Sequence, residues 1–387
     1  MASLGLREDG NLPLAGVRRH QPCVFMTADS VGGVWTYAID LARGLSAAGI
    51  DLVVAVCGPA PSPAQLADAG TIAGLRLVQA DVPLDWTAAS PAEVLAAGSR
   101  LAVLAESFDV DLVHLNSPAY AAGGAFRAPL LVCCHSCMAS WWEAVEGGVL
   151  PTDFIWRRDL VARGYAAASL LVAPSAAFAQ VTARLYGLPQ APRVVHNGRA
   201  LPAAPAAAMA LPASFAFTAG RLWDRGKNLA ALDRVASPAR PILAAGPLTG
   251  PQGETLQVSG LQALGQLDRA GLAACYGQAA VFVSAACYEP FGLAVLEAAQ
   301  AGCPLLLSDI PSFREIWQDA ADYLPSDDDD ALAEGIDRLL QDPALRRRRG
   351  EAARRQAAPY TAKAMSRSML ALYAELQPAI ASPETCL

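Results

Sequence analysis

Two glutamates, Glu289 and Glu297, flank a Pro290-Phe291-Gly292-Leu293 turn. The apolar run Val281 to Ser284 ends just before the turn, and Leu293, Leu296 and Ala299 to Ala301 follow it at helical spacing. The pattern predicts strand, loop and helix, with the helix opening near Phe291. Glu289 then stands at the mouth of the loop. The free N–H groups of Phe291, Gly292 and Leu293 point from the helix N-terminus into the adjoining cleft, ready for phosphate or sugar oxygens. Glu297 lies roughly two turns further in, at the same end of the sheet. The plainer readings are a helix-capping acid for Glu289 and a solvated helix carboxylate for Glu297.

The segment Gly220-Arg221-Leu222-Trp223-Asp224-Arg225-Gly226-Lys227-Asn228 supplies cations directly after the apolar run Phe215 to Ala219. A strand, a tight glycine turn and a helix opening at Lys227 would set two charges beside the same cleft. Arg221 offers a planar fork to phosphate oxygens and Lys227 a point charge. A pair of surface cations is the plainer reading.

Both clusters need a scaffold. The chain has 387 residues, more than one core usually serves, and is 53% hydrophobic and 17% charged, which bounds it to two ordinary domains with large interiors. Strand-type runs alternate with amphipathic helices, the signature of parallel sheets covered by helices. The first set is Cys23 to Thr27, Leu52 to Cys57, Leu75 to Val78, Leu112 to Leu115, Leu130 to Cys134, Leu170 to Ala173 and Val194 to His196. A helix over Tyr37 to Ala48 ends at Gly49. The second set is Phe215 to Ala219, Ile242 to Ala245, Gly260 to Leu264, Val281 to Ser284 and Pro304 to Ser308, with helices Asn228 to Val235, Asp268 to Tyr276, Leu293 to Ala301, Asp329 to Leu340 and Ala362 to Leu376.

The resulting division is a loose tail over 1–21, a first doubly wound domain over 22–198, an Ala- and Pro-rich connection over 199–212, a second doubly wound domain over 213–360, and a C-terminal helix over 361–387 crossing back to the first domain. Two such domains in tandem place a ligand cleft at the carboxyl ends of facing strands.

Glu289 with its Phe-Gly-Leu turn, Glu297 eight positions on, and the Gly220-Arg221 and Lys227-Asn228 pairs resemble the retaining glycosyltransferases of family 4, which have the GT-B fold. The resemblance runs from Val24 to about Leu376 and includes Ala301-Gly302-Cys303-Pro304, Asp309-Ile310-Pro311 and Arg314-Glu315. It implies a nucleotide-diphosphate sugar donor, with Arg221 and Lys227 on the diphosphate, Glu297 on the ribose hydroxyls and Glu289 on the transferred sugar. Backbone N–H groups of Phe291 to Val295 would complete these contacts. It also implies that Gly32-Gly33 form the glycine loop facing diphosphate and acceptor, that His135 is the cleft histidine near the donor sugar, and that Asn197-Gly198 close the first domain. A glycan, lipid-linked or small-molecule acceptor hydroxyl receives the sugar.

The residue types suit that chemistry, since such a transfer needs the leaving diphosphate stabilised more than it needs a strong base. Arg221 and Lys227 do this without a metal, so no Mg or Mn and no other cofactor is expected. Asp109-Val110-Asp111 precedes a buried strand, and Asp327 to Asp330 read as a helix N-terminal cluster. Cys133-Cys134-His135-Ser136-Cys137 lacks the paired Cys-x-x-Cys elements of thiolate zinc sites, which leaves His135 as a cleft residue or a plain buried histidine. Trp141 and Trp142 could stack on a sugar, lie on lipid or pack under their loop.

A net charge of −7 offers no field for nucleic acid. The basic run Arg346 to Arg349, with Arg354 and Arg355, reads as a solvated helix face, an anionic-lipid patch at the inner membrane surface being the alternative. Nine irregularly spaced cysteines suit a reducing cytoplasm. The apolar windows Gly164 to Ala183 and Ala270 to Tyr288 are broken by Pro174-Ser175 and Gly277-Gln278, so no membrane-spanning helix is expected. Competing functions are a non-catalytic sugar-nucleotide or glycan-binding protein and a nucleotide-sugar hydrolase or epimerase on the same fold. A nicotinamide-dependent dehydrogenase is more remote, because no Gly-x-Gly-x-x-Gly follows the first strand.

Overall fold

The computed structural model describes residues 21–199 and 210–380. Most of the expected tail, the centre of the expected connection and the last seven residues lie outside the described residues.

The first sheet contains β1 (Cys23–Asp29), β2 (Asp51–Cys57), β3 (Leu75–Gln79), β4 (Leu112–Leu115), β5 (Leu130–Cys133), β6 (Leu170–Ala173) and β7 (Arg193–Val194). Its helices are α1 (Gly33–Ala47), α2 (Pro63–Ala69), α3 (Pro91–Glu106), α4 (Met138–Val145), α5 (Thr152–Ala167) and α6 (Ala176–Tyr186). The second sheet contains β8 (Ala216–Ala219), β9 (Ile242–Ala245), β10 (Gln262–Gly265), β11 (Val281–Ser284), β12 (Leu305–Ser308) and β13 (Ala321–Leu324). With it go α7 (Leu229–Val235), α8 (Arg269–Gln278), α9 (Leu293–Gln300), α10 (Pro311–Trp317), α11 (Asp329–Gln341), α12 (Pro343–Ala357) and α13 (Ala362–Leu376).

The strand orders are β3-β2-β1-β4-β5-β6-β7 and β10-β9-β8-β11-β12-β13, with parallel neighbours throughout. Both sheets are covered on both faces, which explains strands that read as continuous apolar runs. Val24, Met26 and Val54 face one core of the first domain, and Phe25, Val53 and Ala55 face the other. Phe217, Phe282 and Leu305 against Ala216, Val281 and Leu306 divide the second sheet in the same way.

The last helix belongs to the first core. Met365, Met369, Leu372 and Tyr373 of α13 lie in the cluster built by α1 and β1, and the Tyr373 hydroxyl is 2.6 Å from Nδ1 of the fully buried His114 on β4. The chain therefore crosses between domains twice. The crossings touch, because a Cβ on Gly198 would lie 2.0 Å from the Thr361 carbonyl oxygen.

Several boundaries differ from expectation for local reasons. Strand β10 starts at Gln262, because the N–H groups of Gly260 and Leu261 are drawn to Asp233 Oδ1 at 2.9 and 3.0 Å. Strand β7 stops at Val194, and His196 turns away to Glu315. Helix α1 opens at Gly33, so the glycine pair is its N-terminus, while Gly49 (φ 82°) ends it as expected by donating to Ser46 O at 2.9 Å. Strand β13 was not anticipated. Trp142 packs edge-on to Phe154 and Trp141 bonds across the cleft, and both are half-buried. In the basic run, Arg346 caps the carbonyls of Leu339 and Leu340 and Arg349 pairs with Asp322. Arg347, Arg348, Arg354 and Arg355 are exposed. Among the described residues no helix is long and apolar enough to cross a membrane.

Met369→Ala should lower stability by about 2–5 kcal/mol, the usual cost of truncating a buried side chain. The urea midpoint, followed by a probe in the first domain, should move although the substitution lies near the C-terminus. An unmoved first-domain midpoint would contradict the docking of α13.

Candidate active site

Each sheet has one point where the chain leaves a strand to opposite sides, between β1 and β4 in the first and between β8 and β11 in the second. Crevices open at such switch points, at the carboxyl ends of the strands. The loops that leave these four strands carry Asp29 to Gly32, Asn116 to Pro118, Gly220 to Asn228 and Ala285 to Gly292. Gly32, Gly33, Asn116, Arg221 and Tyr288 line one common cavity.

On the second-domain side, Gly220 has φ 146°, a conformation that favours glycine, and turns the chain sharply after β8. Arg221 Nη2 donates to Asp224 Oδ2 at 2.8 Å, and its guanidinium lies 5.7 Å over the Trp223 ring. Although burial opposes it, Arg221, Trp141 and Lys227 hold the Asp224 carboxyl below its ordinary value. Residues Arg225–Lys227 form a 3-10 turn and Asn228 is left-handed (φ 50°), so the helix expected to open at Lys227 starts at Leu229. The Lys227 ammonium is ion-paired with Glu289. Gly226 O accepts from Cys287 N and Tyr288 N at 2.9 and 3.2 Å, tying the two loops together.

Glu289 is therefore a partner of Lys227 and not a helix cap. The cap of α9 is Gly292, whose φ of 95° and close neighbours Phe313 and Val295 make it a position for glycine. The helix starts at Leu293, where the periodicity places it and not at Phe291, so its first-turn N–H groups are those of Leu293, Ala294 and Val295. Phe291 is buried in the core beneath.

Glu297 is not solvated. Its side chain is 7% exposed, its Oε2 accepts from the Tyr276 hydroxyl at 2.9 Å, and its Oε1 lies 2.7 Å from Arg199 Nε. That N–H is not aimed at the oxygen, so the contact is ionic and not an aligned hydrogen bond. Arg199 Nε is also 3.8 Å from Oδ2 of Asp40, a buried carboxylate on α1. Sequence reasoning left Arg199 in a structureless connection and missed Tyr276. Their only sequence signal is that a buried carboxylate must find partners.

On the first-domain side, Asp29 Oδ1 accepts from Val31 N and Gly32 N at 3.0 and 3.2 Å and shapes the glycine loop. A Cβ on Gly32 would lie 3.7 Å from Arg221, and one on Gly33 would lie 3.4 Å from Leu293, so the glycine pair meets both second-domain loops. Asn116 Nδ2 donates to Thr27 O at 2.6 Å, which turns its Oδ1 toward His135 Nε2 at 2.8 Å. Nε2 accordingly carries the proton and Nδ1 is left as an acceptor. Burial pushes the His135 pKa down to about 4, so the ring is neutral near pH 7.

Cys133 faces Tyr37 at 3.5 Å, and Cys137 faces Ser140 and Tyr186, both at 3.1 Å. Among the described residues no three His, Cys, Asp or Glu are grouped to hold a metal. Asp111 accepts from Cys23 N, Asp328 caps α11, and Asp329 pairs with Arg234.

Polar ties close the cleft. Trp141 Nε1 donates to Asp224 Oδ1 at 2.9 Å, Ser140 and Tyr288 share a hydrogen bond at 2.8 Å, and Glu146 pairs with Arg225. Ser175 donates to Pro290 O at 2.7 Å. Glu315 of the second domain accepts from Ala176 N and Ala177 N, at the N-terminus of α6, at 2.8 and 2.7 Å, with His196 Nε2 at 3.1 Å. Against the effect of burial, His196 and these two N–H groups hold the Glu315 carboxyl below its ordinary value.

Two family models match the chain, "Glycosyltransferase Family 4" over residues 31–201 and "Glycosyl transferases group 1" over residues 256–356. Glycogen synthase of Mycobacterium tuberculosis is 28% identical over 365 residues, covering 84% of this chain and 86% of the relative. Phosphatidyl-myo-inositol mannosyltransferase of Mycobacterium leprae is 36% identical over 94 residues, 24% of this chain and 25% of that one. Among solved structures, sucrose-phosphate synthase of Thermosynechococcus elongatus superposes with TM-score 0.74 at 20% identity, over 93% of this chain and 100% of that one. Anabaena HepE in complex with UDP-glucose superposes with TM-score 0.67 at 17% identity, over 92% and 100%.

Arg199→Met should cost about 3–5 kcal/mol, because it leaves the buried Glu297 carboxylate without its cation and takes from Asp40 one of the arginines that face it, with Arg269 and Arg43 remaining. Urea unfolding measures this, and a midpoint unchanged from the parent would remove Arg199 from its role. The pH dependence of stability carries a second test. His135 and His114 have folded pKa values lowered from 6.5 to about 4 and about 3, so the unfolded chain binds their protons first. Their contribution is full above about pH 6.5 and falls as the pH drops toward those values. The depressed Glu315 carboxyl adds a loss at lower pH still, as the pH falls through its folded value. Asp85, raised by burial to about 6, acts in the opposite sense over the same window, so the measure is the comparison with His135→Gln: the parent should lose more of its urea midpoint between pH 7.5 and 4.5, and equal losses would show that His135 is solvated.

Proposed function

Because the chain belongs to the family 4-type glycosyltransferases of GT-B fold, we propose that it transfers a sugar, with retention and without a metal, from a nucleotide-diphosphate donor to an acceptor hydroxyl. The observation that carries this reading is the meeting, at two facing switch points, of Arg221, Lys227 and Glu289 with the N-terminus of α9 and the glycine pair.

The proposed division of labour follows from charge and reach. Arg221 and Lys227 receive the diphosphate and stabilise its growing charge as the bond from the anomeric carbon breaks. The acceptor oxygen forms its bond on the same face, the bonding pair departs with the diphosphate, and the acceptor proton passes to a leaving phosphoryl oxygen. This sequence needs no protein base, which agrees with a neutral His135 whose Nδ1 can accept a hydrogen bond from a hydroxyl of the transferred sugar. Glu289, paired with Lys227, also holds that sugar. Glu297 takes the ribose hydroxyls, with the N–H groups at the start of α9 beside it. Two fixed cations replace the divalent ion, and of the candidate aspartates Asp111, Asp328 and Asp329 are engaged elsewhere in structural bonds.

Activity should persist in excess EDTA, and full loss restored by Mn or Mg would overturn metal independence. Arg221→Ala and Lys227→Ala should each raise the barrier by about 2–4 kcal/mol with the fold intact. Wild-type turnover in either would refute its role. Glu289→Gln should leave nucleoside diphosphate affinity within a factor of about three while cutting turnover roughly a hundredfold or more, and Glu297→Gln should weaken binding of donor and free diphosphate alike. Calorimetry and initial rates compare the two, and the opposite pattern would reverse their roles.

A further inference from the structure

The cavity between the switch points extends well past the donor cations. Its volume is about 350 Å³, at the small-molecule end of the ~300–1,000 Å³ range for ligand sites. Arg221 and the glycine pair line one part of it, while Lys227, Glu289 and Glu297 do not. From there it runs into the first domain between Tyr120, Trp141, Phe154 and Leu160. Trp86, on the loop after β3, and Trp223, on the loop after β8, both line it as a stacked pair drawn from the two domains, with planes 21° apart and ring centroids separated by 6.4 Å.

The polar lining favours one charge class. Arg157, Arg158, Arg221 and Arg225 are balanced around the cavity by Asp29, Asp85, Asp224 and Glu254, and away from the donor side the arginines are bonded within the protein, Arg158 with Asp159 and Arg157 with the carbonyls of Asp153 and Ala88. Asp29 spends Oδ1 on the glycine loop, and it and Asp85 both line the cavity. Hydroxyl groups can donate to these carboxylates, whereas a phosphorylated molecule would meet no excess of cations. Burial pushes the Asp85 carboxyl up to about 6, as expected for a group in an apolar wall.

Resting on the glycosyltransferase reading, we propose that this cavity is the acceptor site and that its occupant is an uncharged pyranose-like ring, stacked against the Trp86 and Trp223 pair with hydroxyls on Asp29 and Asp85. Aromatic faces match the C–H faces of such a ring, and the carboxylates match its edge.

The test pairs methyl hexosides with the corresponding hexose 6-phosphates, read by transfer rates and, without donor, by quenching of tryptophan fluorescence. Neutral rings should be favoured by about tenfold or more in kcat/KM. Trp86→Ala should raise the acceptor KM by about tenfold and abolish quenching, with Trp86→Tyr restoring most of it, while nucleoside diphosphate affinity stays within about threefold. Asp85→Asn should narrow the gap between neutral and phosphorylated acceptors. Preference for the phosphates, or an acceptor KM indifferent to Trp86→Ala, would overturn the proposal, as would diphosphate binding with no quenching by any neutral ring. Quenching that depends on Trp86 in a protein that binds no nucleoside diphosphate would instead sustain the pocket and overturn the donor reading.

Discussion

The guanidinium of Arg199 stands where the two halves of the molecule meet, 2.7 Å from Glu297 and 3.8 Å from Asp40. Burying either carboxylate without a cation would cost several kcal/mol. Asp40 belongs to α1 and Glu297 to α9, and the first residues of those helices, Gly33 and Leu293, approach each other at the cleft. The two helices are thus related at both ends, by packing at their N-termini and by a shared cation further along. Because α1 begins with the glycine loop and α9 begins beside Glu289, this pairing fixes the distance between the halves of the site.

Around that pivot the domains are joined mainly by polar contacts at the rim: Trp141 with Asp224, Glu146 with Arg225, and Glu315 on the start of α6. Polar interfaces of this kind favour relative domain motion. At the pivot itself the backbone leaves little slack, since Gly198 lies directly against Thr361 and Gln300 donates to the Arg199 carbonyl at 2.8 Å. Opening the cleft for a substrate therefore breaks rim bonds and turns about the crossings, while the α13 helix keeps the C-terminus attached to the first core.

The sequence announced the features that arise from local pattern. Apolar runs gave both parallel sheets, and the bounds of the last helix, Ala362–Leu376, were readable from periodicity alone. Positions fixed by distant partners were not readable. The burial of Glu297 against Arg199 was not readable, because its cation lies 98 residues earlier, in a segment without periodicity. Gly292 reads as a turn residue ahead of the helix, and only its left-handed φ shows it to be the cap. Strand β13 follows a 3-10 turn and carries Asp322 among its four residues, so it does not read as an apolar run. The Trp86 and Trp223 pair spans two domains, so no window of sequence contains it.

The cleft is chemically two-sided, and Arg221 is where the sides join. It is paired with Asp224, and Asp224 also receives the Trp141 bond from the first domain and holds Gly226 N at 2.9 Å. An anion arriving at Arg221 competes with Asp224 for the guanidinium, so the charge state of the donor side bears directly on a bond that holds the domains together. The other wall carries the carboxylates Asp29 and Asp85 among aromatic rings. Arg157 and Arg158 line that wall as well, each bonded within the first domain, so the two walls differ in their aromatic content more than in net charge.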